Sequence, residues 1–149
     1  MTTHRGDRGE AGVVLLPLVL LAVYGFGLLA IGVWRVSESA GAVTDAARAG
    51  ARTFVEVPAA TSATQAAGAA RAAAESSARA GGLDDVKVTI DGDGNRSRCS
   101  VVEVTVTGRV PALSVPWVGE IAATSVSATH RQTIDPLRSG LEGEATCLG

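Results

Sequence analysis

Two cysteines, one acidic turn and two histidines are the residues whose types could do chemistry in this chain of 149 amino acids. Cys99 and Cys147 stand too far apart for a Cys-x-x-Cys redox motif, and no His or Cys lies near either at metal-ligand spacing. Two cysteines in an exported domain are most simply a disulfide. Closing a loop of roughly 50 residues stabilises by about 4 kcal/mol in the chain-entropy description. The bridge would also tie down a C-terminal tail that is polar, Gly-containing and otherwise expected to be loose from Pro136 onward.

Asp91-Gly92-Asp93-Gly94-Asn95 matches the first half of a calcium loop, but the rest does not follow. Arg96 stands at the sixth position, where Gly makes the turn, and Val102 at the twelfth, where a bidentate Glu is needed. The segment reads as a Gly-rich hairpin turn, to which Arg96 and Arg98 add positive charge. His4 lies in the polar N-terminal stretch, and His130 stands alone on an expected strand, at its surface or half-buried. No serine sits in a Gly-x-Ser-x-Gly turn, and no phosphate-binding loop is present. No catalytic residue, metal or cofactor is expected, and the chain is not expected to be an enzyme.

These residues need elements to hold them. Composition is 46% hydrophobic, 19% charged and only 3% aromatic, with a net charge of −2 that offers nothing to nucleic acid. The hydrophobic excess is concentrated: Ala11 to Trp34 contains no Asp, Glu, Lys, Arg or His. As a helix rising about 1.5 Å per residue, that run reaches roughly 36 Å, enough for a bilayer core of about 30 Å. Pro17 is a tolerated kink. The preceding residues 1–10 are polar and carry Arg5 and Arg8. Basic residues flank both ends of the span, so the positive-inside rule gives little contrast. The cysteines favour an outside C-terminal part, and hence a cytoplasmic N-terminus. An Ala-x-Ala pattern at Ala40-Gly41-Ala42 leaves signal cleavage open as an alternative, which would release a secreted binding module or enzyme.

The helix does not stop at Trp34. Val36, Ala40, Val43, Ala47, Ala51 and Phe54 recur at spacings of three and four, with Arg35, Glu38, Asp45, Arg48 and Arg52 mostly between them. One helix of about 40 residues is expected, apolar all round at first and amphipathic later. Ala42, Ala46 and Gly50 form a smooth ridge where another helix could approach, or which could lie on the chain's own domain.

Beyond Pro58 a small domain is expected over 58–149. Ser62 to Gln65 is a capping box, and the Ala-rich run to Ala80 reads as a second helix stopped by Gly81-Gly82. Glu75 and Arg79 are an i,i+4 pair. With so little apolar bulk this helix is expected to pack weakly, at the surface. Val86, Val88 and Ile90 alternate as a strand. Val102, Val104, Val106 and Gly108 share one face of a second, which Cys99 opens. Pro111 to Pro116 reads as a loop or edge, and Ala122 to Ile134 as the last strand. The fold class is therefore α+β: a long N-terminal transmembrane helix (11–34) continuing outside the membrane (35–57) into a small antiparallel sheet domain.

Asp7-Arg8-Gly9, the apolar span with Pro17, and above all Asp45-Ala46-Ala47-Arg48-Ala49-Gly50-Ala51-Arg52 resemble the TadE-like family. These are minor pilins, or pseudopilins, of the bacterial tight-adherence type IV pilus system. The resemblance covers roughly residues 5–55. It implies a single-pass protein of the cell membrane with a cytoplasmic N-terminus and an extracytoplasmic domain, cut by a prepilin peptidase after a Gly. By position that Gly is Gly9, leaving Glu10 first, or Gly6. It also implies helix packing through Ala42, Ala46, Ala47, Arg48, Gly50 and Arg52. The implied partners are other pilin subunits, the peptidase, an inner-membrane assembly platform and membrane lipid. The family pattern places a Glu fifth after the cut. Here a cut after Gly9 puts Val14 there, and a cut after Gly6 puts Glu10 fourth. An uncut, membrane-anchored accessory protein is the alternative.

Overall fold

A computed structural model describes residues 10–92, 96–115, 119–144 and 146–147; the side chains of 10–14, 111–115 and 119–122 lie outside that description, as do Gly6 and Gly9. The described chain runs α1 (Glu10–Glu56), α2 (Ala63–Ala80), β1 (Asp84–Gly92), β2 (Val101–Val115) and β3 (Gly119–Thr133). This is a long apolar N-terminal helix followed by a short helix and a three-stranded antiparallel sheet of order β1-β2-β3. Two compact units divide it, Met1–Trp34 and Arg35–Gly149.

In the first unit α1 passes through Pro17 without a break. Its large side chains from Leu15 to Trp34 are uncovered, with Phe26 79% and Trp34 72% exposed. It is long and apolar enough to cross a membrane. The helix has 47 residues, longer than expected, because nothing in its sequence stops it before Val57 and Pro58.

In the second unit the amphipathic part of α1 lies on the sheet. Val43, Ala46, Ala47, Ala51 and Val55 meet Val88, Val102, Val104, Val106 and Val110, a core of small and β-branched side chains. The period-two run on β2 holds: Val102, Val104, Val106 and Gly108 are buried, and Leu83 packs where a Gly108 side chain would stand. Of the loop or edge expected at Pro111 to Pro116, the structure has an edge: Pro111 to Val115 belongs to β2, and Pro116 lies outside the described residues. β1 pairs only as far as Arg109, so beyond it β2 has β3 alone as neighbour, and a bulge at Pro111–Leu113 accommodates the missing N–H. β3 likewise begins at Gly119, before Ala122.

The expectation for α2 is corrected. Its cap is as read, with Ser62 and Gln65 bonded reciprocally and Glu75–Arg79 paired at 3.0 Å. However, Ala66, Ala70, Ala74 and Ala78 are fully buried. Alanine offers little apolar area, but its small size lets two helix backbones approach closely, and dispersion across a tight seam replaces bulk. A methyl added to Gly50 would stand 3.1 Å from the Ala74 Cβ and 3.2 Å from the Ala70 carbonyl. Within the chain, α2 is thus what packs along the small-residue ridge of α1. One added to Gly81 would come 2.5 Å from the Ala42 Cβ. Gly81→Ala should therefore destabilise the unit by about 1–3 kcal/mol, the usual effect of overpacking. Thermal unfolding of the purified chain reads this out; an unchanged midpoint would mean the seam is loose.

Candidate functional site

The described residues show no cluster of His, Cys, Asp or Glu able to hold a metal. Asp91 and Gly92 end β1, and Asp93 to Asn95 lie outside the described residues. His130 is half-buried on the α1-facing side of β3, beside Val104 on β2. Among the described residues the built polar site is the end of α1.

An α-helix leaves its last carbonyls without intrahelical partners, and a basic side chain in the last turn commonly serves them. α1 has none there. Two arginines from far along the chain serve this end and the connection that follows it: Glu56 belongs to α1, and Val57, Pro58 and Thr61 to the segment between α1 and α2. Arg138 gives Nη2 to the carbonyls of Glu56 (2.8 Å) and Val57 (2.6 Å). Arg96 gives Nη2 to Val57 (2.6 Å) and Nη1 to Pro58 and Thr61 (2.9 Å each). The planar guanidinium fork suits several carbonyls at once, where an ammonium would be a point charge. Arg96 is buried, only 9% exposed, with its guanidinium 5.8 Å from the centre of the Phe54 ring. Burial, and secondarily the charge of Arg138, hold its pKa below the ordinary arginine value. Arg96 is thus a structural cation, not part of a solvated turn.

The C-terminal segment is a strap rather than a loose tail. Arg98 donates its backbone N–H to Glu142 (2.8 Å) and its Nε to the Arg138 carbonyl (3.0 Å). Leu141 joins the core. Cys99 lies in a turn before β2, at φ 64°, a conformation unusual for a side-chain-bearing residue. Its N–H bonds the Ile134 carbonyl at 3.1 Å. The Cys99–Cys147 disulfide is formed, with Cα atoms 5.3 Å apart, and clasps the strap.

The remaining concavities are open. A groove of about 750 Å³ lies between α1 (Asp45, Arg48, Ala49, Arg52, Thr53) and β3 (His130 to Thr133). Arg48 and Arg52 are exposed there, each near an acid on its own helix, and such pairs contribute little. A smaller cleft of about 360 Å³ is bordered by Phe54, Ala67, Arg71, Ile90, Val101 and Val102. Comparison with protein families, characterised proteins and solved structures finds no match.

Sequence reasoning named the two cysteines, which the structure brings together. It missed that Arg96 and Arg138 hold the carbonyls at and just after the end of α1. Their carbonyl partners lie 35 to 39 and 81 to 82 positions away, so no local pattern could mark them.

Proposed function

We propose that this chain is a structural subunit of a bacterial cell envelope, a minor pilin of the tight-adherence type. It is held in the membrane by the apolar part of α1 and presents the α+β unit outside. The observation that carries the reading is the continuity of α1. One helix joins an uncovered apolar stretch, Leu15 to Trp34, to a segment that forms the core of a folded domain. That stretch spans about 30 Å, a bilayer's hydrocarbon thickness. Trp34 and Arg35 at its end suit the membrane–water boundary. The disulfide fits an oxidising compartment outside the cytoplasm. The work is helix packing and display, with other pilin subunits, a prepilin peptidase, an inner-membrane assembly platform and lipid as partners.

A second reading, an uncut anchored accessory protein, is favoured by one residue. Val14 stands where the TadE-like pattern has a Glu, so no carboxylate is available there to pair with a neighbour's new amino group. Intact mass of the chain from native membranes, with and without the peptidase, separates the readings. A peptidase-dependent start at Glu10 or Asp7 is expected for the pilin. An intact leader would leave the accessory protein. A start at Thr44 or nearby would mean a secreted domain and overturn both.

A further inference from the structure

Among the described residues no further strand pairs with the outer edge of β1 or of β3, and the two edges differ. Natural edge strands are usually blocked by proline, by inward-pointing charge or by a bulge. Between Ala123 and Thr133, β3 contains no Pro, Lys, Asp or Glu, and its pairing with β2 over those residues, from Val101 to Pro111, is regular. Its α1-facing side chains, Val126, Ala128 and His130, are only half-buried. The outer side of β1 likewise leaves Val86 and Ile90 half-buried.

The strand register puts residues of all three strands in common rows. On the uncovered face these are Asp91–Glu103–Arg131, Thr89–Thr105–Thr129 and Lys87–Thr107–Ser127. On the helix-facing side they are Ile90–Val104–His130 and Val88–Val106–Ala128. Each row therefore ends in different residues at the two edges. The charged row ends in an acid on β1, Asp91, and a base on β3, Arg131. Arg131 uses its Nε on Glu103 (2.6 Å), and a guanidinium has further donors to offer.

We infer that the free edge of β3 takes the β1 edge of a second copy of this chain, continuing the sheet as β1-β2-β3-β1-β2-β3. Because β1 and β3 both run antiparallel to β2, they are parallel to each other, and the new pairing is a parallel one. Without stagger it sets Arg131 beside the second copy's Asp91, Thr129 beside its Thr89, and Ala128 beside its Val88. It also brings the second copy's α2, which lies against β1, towards the open groove above β3. The contact is heterologous, so it repeats from copy to copy without closing. It keeps every Arg35–Glu56 helix running the same way. A two-fold pairing of β3 with β3 would reverse one of them, which copies inserted from one side of a membrane do not allow. That choice between the two arrangements rests on the anchored reading above.

The test is cross-linking of the full-length chain in membranes. Within one chain Thr89 and Thr129 lie two strand spacings apart, about 9.6 Å, beyond disulfide reach; across the seam they are about 4.8 Å apart. Thr89→Cys/Thr129→Cys in one chain is expected to give a ladder of dimers, trimers and larger species on mild oxidation. Asp91→Arg, added to that pair, should weaken the ladder about fivefold by placing two bases in one row. Dimers from Thr129→Cys alone would show a β3–β3 contact and overturn the proposal. So would the absence of any ladder while the chain is in the membrane fraction, or a ladder indifferent to Asp91→Arg. Recovery of the chain in that fraction is scored on the same sample, so failure of the seam is distinguished from failure of the anchor.

Discussion

Cys147→Ser should lower the stability of the second unit by about 4 kcal/mol, the loop-closure value for the separation of 48 residues that the disulfide spans. The effect has two origins. The unfolded chain regains the freedom that the bridge removed. The folded chain loses the clasp of the strap, which carries Arg138 to the end of α1 and Leu141 into the core. Reduction of the wild-type chain with a dithiol should reproduce the shift. Limited proteolysis should then cut first between Pro136 and Glu144. An unchanged melting midpoint together with an uncut strap would show that Arg98 and Leu141 hold the segment without the bridge.

Arg96→Ala should be nearly as damaging, at about 3 kcal/mol. The substitution removes three charge-assisted hydrogen bonds; the Val57 carbonyl keeps Arg138 and the Pro58 carbonyl keeps the Thr61 N–H, while the Thr61 carbonyl loses its Arg96 donor. It also opens a cavity beside Phe54. Arg96→Lys should restore only part of the loss, because one ammonium cannot reproduce the fork. Arg138→Ala, at a more open position with two carbonyl contacts, should cost about 1 kcal/mol. Thermal unfolding of the three variants checks the order. Equal effects of Arg96→Ala and Arg138→Ala would mean that burial of Arg96 adds nothing.

The legible parts of the fold are those with a local signature. The valines of β2 alternate because one face meets helices and the other water, and that period survives in the sequence. The Ser62–Gln65 cap and the Gly81-Gly82 stop are legible because four adjacent residues suffice to make them. The role of α2 was not, since a run of alanines reads as weak on any scale of apolar area. What decides its burial is the complementary smallness of Ala42 and Gly50 on α1. The extension of β2 through Pro111 was hidden for another reason. Proline argues against a central strand, and only the early end of β1 shows that β2 has one neighbour there. Of the candidate site, the cysteine pair was legible from count and compartment. The arginine contacts were not, because the glycines and aspartates before Arg96 in the sequence suggest solvent, while its carbonyl partners, Val57, Pro58 and Thr61, lie far back in the chain.

In the proposed arrangement α1 holds a folded unit outside a membrane. Protease added to intact spheroplasts, with the chain tagged at its N-terminus, tests this most directly. The expected result is an integral, carbonate-resistant membrane protein whose second unit is removed from outside, leaving a protected N-terminal fragment that ends soon after Trp34. Release of the chain by carbonate, or full protection of the second unit until the membrane is opened, would contradict it.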